Sequence, residues 1–337
     1  MIFLGNIHSN IQVIAEQWES RLHDFLFKKR KNKLRIEGVE TYSTYYDKML
    51  GKVDNSISLN ENEKETVRNI LDDCFKKHFR EIILAGEKEL EAYSRVNVPE
   101  FMFEIMKGLY TDFTQHSENG ISNAHFFFRE LNIRTCPYCN RHYTFSLDAN
   151  DEENDKVAPE YDHFYNKKDY PLLAVSFYNL VPSCHSCNHA KGIRTVKINP
   201  YFSGFKRKFE LQDKEGNRMP VDEIINQKKE GKIGFGKLEE EERAKDEQEN
   251  INTFGLQGLY EMHDDYINEI VEKTIAYNPT VRQSLVDAFQ DQAYSPQQVF
   301  DFVWGKYLTE AQYDKRPLSK LTRDILEQLG LLVGIDS

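Results

Sequence analysis

Apolar residues in the first third of the chain recur every three or four positions. This spacing predicts amphipathic helices, each with one buried stripe. The first stripe consists of Ile7, Ile11, Ile14, Trp18, Leu22 and Phe25, and the second of Val67, Ile70, Leu71, Cys74, Phe75 and His78. A third helix is predicted from Pro99, and a shorter one ends at Leu131. Cys74 and His78 are therefore expected to face the core rather than to bind a ligand.

The pattern changes after Thr135. The segments 142–145 and 161–164 are short and rich in residues with high β-propensity, which predicts strands. The polar stretch 148–156 predicts a loop or a hairpin tip. Residues 188–194 are expected to open a helix.

Helical periodicity returns at the C-terminal end, from Leu259 to Ile275 and again from Leu318 to Leu329, where Gly330 stops it. The acidic run Glu239–Glu242 is expected to be a solvated helix face or a partly mobile linker. The whole pattern predicts a mostly α fold with a small α+β core. We expect a helical region at 1–130, a compact module at 131–205 and a mainly helical region at 206–337.

Composition excludes several classes of protein. The chain has 337 residues and a net charge of −11, so it can bury a large core without disulfides. It contains no run of the ~20 apolar residues that a membrane-spanning helix needs. Its first residues do not resemble a secretory signal, so a cytoplasmic protein with no membrane partner is expected. Thiols stay reduced in that compartment, which favours metal binding over disulfides.

Four of the five cysteines form two Cys-x-x-Cys pairs, Cys136 with Cys139 and Cys184 with Cys187. Two such pairs complete the four-sulfur shell of a structural Zn²⁺ ion. A closed shell of this kind has no open position for chemistry. Any reaction is therefore expected in the segment that the two pairs enclose.

That segment carries the groups that phosphodiester hydrolysis requires. Asp162 and Asn188 offer oxygen ligands for Mg²⁺ or Mn²⁺, and a neutral His163 can act as a general base. Asn179 is better placed to hold the loop by hydrogen bonds than to bind a metal.

Basic residues concentrate around the same segment. Residues 163–208 contain eight lysines and arginines against the single acid Asp169, a charge of +7 that leaves −18 for the rest of the chain. A local basic surface of this kind can bind phosphates even though the protein as a whole is acidic. The candidate phosphate contacts are Lys167, Lys168, Lys191 and Arg194, although solvation of these side chains is nearly as good an interpretation.

These residues resemble the motif of the HNH endonucleases. The similarity spans about residues 134–205 and lies in the Cys-x-x-Cys pair, Tyr161-Asp162-His163, the segment from Asn179 to Asn188 and Lys191-Gly192. The resemblance implies a ββα-metal fold, His163 as general base, Asp162 and Asn188 as ligands of a catalytic Mg²⁺ or Mn²⁺, and Asn179 as the loop-shaping asparagine. Many members have histidine where this chain has Asn188, which leaves open whether His185 or His189 supplies a ligand.

More narrowly, Cys136-Pro137-Tyr138-Cys139-Asn140 and Asp162-His163-Phe164-Tyr165-Asn166-Lys167 resemble the HNH proteins of Septu-type anti-phage systems. That resemblance implies a DNA endonuclease that acts with an ABC-like ATPase, with the flanking helical regions as docking surfaces. Two alternatives stay open: a non-enzymatic zinc module that binds nucleic acid or protein, and a nuclease for RNA or transfer RNA. The sequence leaves the oligomeric state undetermined.

Overall fold

The computed structural model describes residues 1–31, 41–118, 120–146, 160–226, 231–290 and 294–331. Helices dominate, as the periodicity predicts. Before the first cysteine pair they are α1 Leu4–Ile7, α2 Ile11–Phe27, α3 Tyr45–Asp54, α4 Glu61–Asn69, α5 Phe79–Ile83, α6 Glu87–Ser94, α7 Phe101–Gln115 and α8 Asn123–Leu131, with a π-helical segment Ile70–Lys76 after α4. The later ones are α9 His185–Lys191, α10 Val221–Ile225, α11 Glu241–Phe254, α12 Leu256–Glu261, α13 Asp264–Ala276, α14 Pro279–Gln290, α15 Pro296–Trp304 and α16 Ser319–Gln328. Short 3-10 segments are Pro171–Leu173, Phe177–Asn179 and Glu310–Lys315.

The strands form small antiparallel pairs. They are β1 Arg30–Lys31 with β2 Tyr42–Ser43, β3 Ser117–Glu118 with β4 Ile121–Ser122, β5 Glu160–His163 with β6 Leu180–Ser183, and β7 Phe209–Gln212 with β8 Lys232–Phe235. The observed fold is thus mostly helical with small antiparallel sheets.

Trp18 is the centre of packing for the N-terminal helices. Its ring meets Phe113 of α7 and Phe127 of α8 edge to face, and its Nε1 donates to the Val175 carbonyl at 2.9 Å. The N-terminal helices therefore pack directly on the segment that links β5 to β6. One continuous cluster of buried side chains contains residues from all three predicted regions, and the predicted domain boundaries stay a prediction.

The C-terminal region covers an open strand edge. Asp324 Oδ2 of α16 accepts from the Phe209 amide at 2.9 Å, and Gln328 Oε1 accepts from the Leu211 amide at 2.7 Å. An isolated two-stranded sheet leaves such amides without partners. Side chains of α16 supply the missing acceptors to β7 and attach this helix to the hairpin.

Three local predictions differ from the structure. Helix α9 begins at His185 and not at Asn188, because Cys184 has the extended conformation of an N-cap residue. Within residues 142–145, only Tyr143 makes a β-bridge, to Thr135. His78 is half-exposed and bonded to Glu81 at 2.9 Å, whereas Cys74 does pack on the core. The loop predicted at 148–156 lies outside the described residues.

Candidate active site and four-cysteine cluster

The four cysteines of the two pairs come together in the structure. Their sulfur atoms all lie within 4.8 Å of one another, and Cys139 Sγ is 3.9 Å from Cys184 Sγ. A tetrahedral Zn²⁺ with Zn–S bonds of about 2.3 Å separates its sulfurs by about 3.8 Å. All four residues are buried. The predicted convergence of the thiols is confirmed, and the cluster fits a metal such as zinc.

Backbone geometry turns the first pair toward the cluster. Asn140 has a left-handed conformation, with φ of +48°, and its amide donates to the Cys136 carbonyl at 2.7 Å. The Arg141 amide then points at Cys139 Sγ, 3.4 Å away. Hydrogen bonding by the neighbouring Cys136 thiol lowers the pKa of Cys139. The same thiol lowers the pKa of Cys184, whereas burial raises the pKa of Cys136 and hydrogen bonding to Cys136 raises that of Cys187. Two of the four thiols are therefore shifted toward the thiolate that a metal requires.

The second pair leads into α9, which lies on the β5–β6 hairpin. In the hairpin Asp162 pairs with Val181 and His163 with Leu180. Because side chains alternate along a strand, Glu160 and Asp162 share one face while Tyr161 and His163 share the other. Hydrogen bonds show that the first face meets α9. The hairpin, the helix and the cysteine cluster therefore form one unit around these residues.

Asp162 is almost fully enclosed, with 2% of its surface exposed. Its Oδ2 accepts from the Tyr138 hydroxyl at 2.7 Å, and its Oδ1 accepts from Lys191 Nζ at 3.1 Å. Burial raises the pKa of Asp162, and the Lys191 ammonium opposes that change. The carboxylate is consequently a buried anion whose charge is balanced by one lysine.

Lys191 is placed differently from the sequence expectation. Only 1% of it is exposed, and its ammonium also donates to the His163 carbonyl at 2.6 Å. A phosphate has no access to Nζ in this arrangement. Lys191 instead ties the end of α9 to β5.

His163 lies under Tyr110 of α7, with ring centroids 4.7 Å apart. Its Nε2 is 3.0 Å from the Ala174 carbonyl. A carbonyl only accepts, so Nε2 carries the proton and Nδ1 keeps its lone pair. Burial lowers the pKa of His163 to about 3. The ring is thus neutral at physiological pH, and no partner for Nδ1 is found among the described residues.

Asn179 holds the segment between the two strands. Its Oδ1 accepts from the Tyr165 amide at 2.7 Å, while Nδ2 donates to the carbonyls of Tyr165 and Leu173 at 3.0 and 2.9 Å. These bonds use the amide for loop geometry, so Asn179 is not available to a metal.

Asn188 and Glu160 form a pair that the sequence reasoning missed. Asn188 Nδ2 donates to Glu160 Oε2 at 2.5 Å, and His185 Nδ1 contacts Glu160 Oε1 at 2.7 Å. A carboxylate only accepts, so the amide nitrogen must face Glu160, which leaves Asn188 Oδ1 free as an oxygen ligand. His189 stacks near His185, with centroids 5.9 Å apart. Glu160 lies two residues before Asp162, a spacing that places both side chains on the same face of a strand, and this spacing could have identified Glu160 from the sequence.

Acidic side chains offset part of the positive charge of residues 163–208. Lys206 and Lys208 pair with Glu240 and Glu327 at 2.6 and 2.5 Å, so C-terminal acids offset their charge. Arg194 bonds the carbonyls at the end of α9. Lys168 is exposed, and Lys167 lies over the ring of Tyr110 at 4.6 Å.

Comparison with known proteins gives one partial match. The chain is 37% identical over 71 residues to the Septu protein PtuB of Bacillus thuringiensis. The match spans 21% of this chain and 24% of PtuB, so this chain covers about a quarter of that relative. No protein-family model and no solved structure matches the chain. Within the described residues, no helix is long and apolar enough to cross a membrane.

Proposed function

We propose that this protein is a metal-dependent endonuclease of the HNH type, which hydrolyses phosphodiester bonds in DNA as the effector of an anti-phage defence system. One observation carries the proposal: in a small unit built of a strand pair, a helix and a four-cysteine cluster, Asp162 and Asn188 lie where β5 meets α9, and His163 follows Asp162 along the strand. The partial similarity to a Septu protein supports the defence role.

In this proposal two metals have separate tasks. The four thiols would hold Zn²⁺ and join the hairpin to α9. Asp162, with Asn188 Oδ1, would hold Mg²⁺ or Mn²⁺, because hard cations prefer oxygen ligands. When bound, this cation would supply Lewis-acid stabilisation of charge on the phosphate.

His163 would take the proton from the attacking water. The lone pair on Nδ1 suits that role, and the Nε2 bond to the Ala174 carbonyl fixes the ring and the tautomer. Tyr138 would orient the Asp162 carboxylate. Glu160 would orient the Asn188 amide.

The proposal is tested by plasmid cleavage. Wild type and His163→Ala are incubated with DNA and Mg²⁺ or Mn²⁺, alone and with a co-encoded ABC-like ATPase, which we propose as the partner. His163→Ala should lose cleavage but keep its zinc, and His23→Ala, which alters a half-exposed histidine remote in sequence, serves as the control. Equal cleavage by wild type and His163→Ala would exclude the mechanism. Cleavage of RNA or transfer RNA but not DNA would reassign the substrate.

A specific observation favours a second candidate, a non-enzymatic zinc module. Both Asp162 oxygens already accept hydrogen bonds, and the Lys191 ammonium occupies the position of a cation beside Oδ1. This candidate requires no second divalent ion. Calorimetric titration of zinc-loaded protein with Mn²⁺ separates the two: binding that Asp162→Asn abolishes supports the nuclease, and its absence supports the module.

A further inference from the structure

Helix α7 of the N-terminal region forms part of the wall around His163. The ring of Tyr110 meets the imidazole at 4.7 Å and 67°, in an edge-to-face contact. The ammonium of Lys167 lies 4.6 Å from the centroid of the same ring. Tyr110 therefore stands between the candidate base and a lysine ammonium.

A second lysine, Lys107, lies on α7 on the same side as Tyr110. Lys107 precedes Tyr110 by three residues, a spacing that makes helical side chains neighbours, and it is exposed. Its ammonium lies over Phe103 at 5.3 Å. Burial lowers the pKa of Lys167, and the positive charge of Lys107 lowers it further. The two ammonium groups are close enough to repel each other.

Neither lysine makes an ion pair within the part of the chain that the structure describes. Near Lys167 in sequence, Asp169 accepts instead from Asn166 Nδ2 at 2.8 Å. Glu104 lies three residues before Lys107 on α7, but it forms no ion pair with either lysine in the described part of the chain. Asp162 is already balanced by Lys191. Two neighbouring cations without a counter-ion are unfavourable, and an anion between them would relieve that repulsion.

We infer that Lys107 and Lys167, with Tyr110 between them, form a phosphate-binding subsite beside His163 for the nucleic-acid backbone. The inference rests on the proposed function for its ligand. It assigns a substrate contact to Lys107, in the N-terminal helical region, which would otherwise serve only as a scaffold or docking surface. A phosphate at this subsite would be a neighbour of the one that His163 acts on.

The test is DNA binding without cleavage. Anisotropy of a labelled duplex is measured with zinc-loaded full-length protein, with no Mg²⁺ or Mn²⁺ added, at several salt concentrations. Lys107→Ala and Lys167→Ala should each weaken binding about three- to tenfold and reduce the slope of log K against log salt by about 0.9, the value for one lost phosphate contact. Lys107→Glu should weaken binding further. The control is Lys237→Ala, which removes an exposed lysine after β8.

Two results separate this inference from the nuclease proposal. If Lys107→Ala and Lys167→Ala bind with the wild-type slope while His163→Ala still abolishes plasmid cleavage, the subsite is wrong and the nuclease stands. If wild type cuts no DNA but both lysine variants lose binding and salt dependence, the subsite stands and the nuclease is wrong. Thermal melting of each variant shows that it remains folded, and Lys107, being exposed, tolerates alanine.

Discussion

The Tyr138 hydroxyl donates a 2.7 Å hydrogen bond to Asp162 Oδ2. Tyr138 lies between Cys136 and Cys139 in the first cysteine pair, so the same turn that presents two thiols also presents this hydroxyl. Its ring is fully buried and stacks on Phe254 of α11 at 4.5 Å. The cysteine cluster is therefore connected directly to the carboxylate of the candidate site.

Removing this hydroxyl should reduce cleavage strongly and the stability of the fold only moderately. In Tyr138→Phe the ring still stacks on Phe254, but Asp162 loses one donor, so we expect the free energy of unfolding to fall by about 1–3 kcal/mol. Cleavage should fall at least tenfold while zinc content stays unchanged. Tyr201→Phe is the matched control, because it removes a buried hydroxyl that donates to the Leu180 carbonyl at 3.0 Å. Equal effects of both variants on cleavage would contradict a specific role for Tyr138.

Metal removal should act through the same connection. We expect one zinc per chain, and Cys184→Ser should lose it together with several kcal/mol of stability, because metal binding is coupled to folding at such sites. Metal analysis and thermal melting measure both effects. Cys74→Ser changes a half-buried cysteine outside the cluster and should keep its zinc. Full zinc content in Cys184→Ser would show that the four thiols are not the zinc site.

Glu160 should control how well the catalytic cation binds. In Glu160→Ala the Asn188 amide loses the acceptor that orients it, so its oxygen is no longer held free for a metal. We expect the Mn²⁺ concentration for half-maximal cleavage to rise about tenfold, with the rate at saturating Mn²⁺ changed less. Ser186→Ala changes an exposed residue on α9 that has no proposed role and serves as the control. An unchanged Mn²⁺ dependence in Glu160→Ala would show that Asn188 needs no such support.

A histidine outside the site should make stability depend on pH. Arg141 Nε donates to His263 Nε2 at 3.0 Å, which requires a neutral ring, and burial lowers the pKa of His263, with the Arg141 charge adding to the effect. Because the folded pKa lies below the unfolded value, the unfolded state takes up the proton first as the pH falls through about 6.5. Stability is therefore lost on acidification. Between pH 7.5 and 5, wild type should lose more stability than His263→Gln, whose amide cannot titrate; parallel curves from chemical unfolding would contradict this.

The sequence predicted the features that depend on short spacing. The helical periods, the cysteine pairs and the strand predicted at 161–164 all arise from patterns within a few residues. The mostly helical fold and the convergence of the four thiols are confirmed. The catalytic roles of Asp162, His163, Asn179 and Asn188 stay predictions, although the structure gathers their elements into one unit.

The sequence could not predict contacts that depend on tertiary packing. Lysines are normally exposed, so residue type alone assigned Lys191 to the surface, whereas folding buries it against Asp162, 29 positions away. The contact between Tyr110 and His163 joins residues from different predicted regions. Such pairs leave no periodic signal in the sequence, since each residue also fits an ordinary core or surface role.

The last prediction concerns Lys191, whose ammonium and a divalent cation would compete for the same carboxylate. Lys191→Met keeps much of the side-chain volume but leaves Asp162 buried without its positive partner, so the free energy of unfolding should fall by about 3–5 kcal/mol at pH 8. The loss should be smaller at pH 5, because Asp162, whose pKa burial already raises, can then take up a proton. If Asp162 binds the catalytic cation, Mn²⁺ should raise the melting temperature of zinc-loaded Lys191→Met more than that of wild type. An equal change in melting temperature in both proteins, or no change in either, would show that Asp162 does not bind the cation. Its ion pair with Lys191 would then have only a structural role.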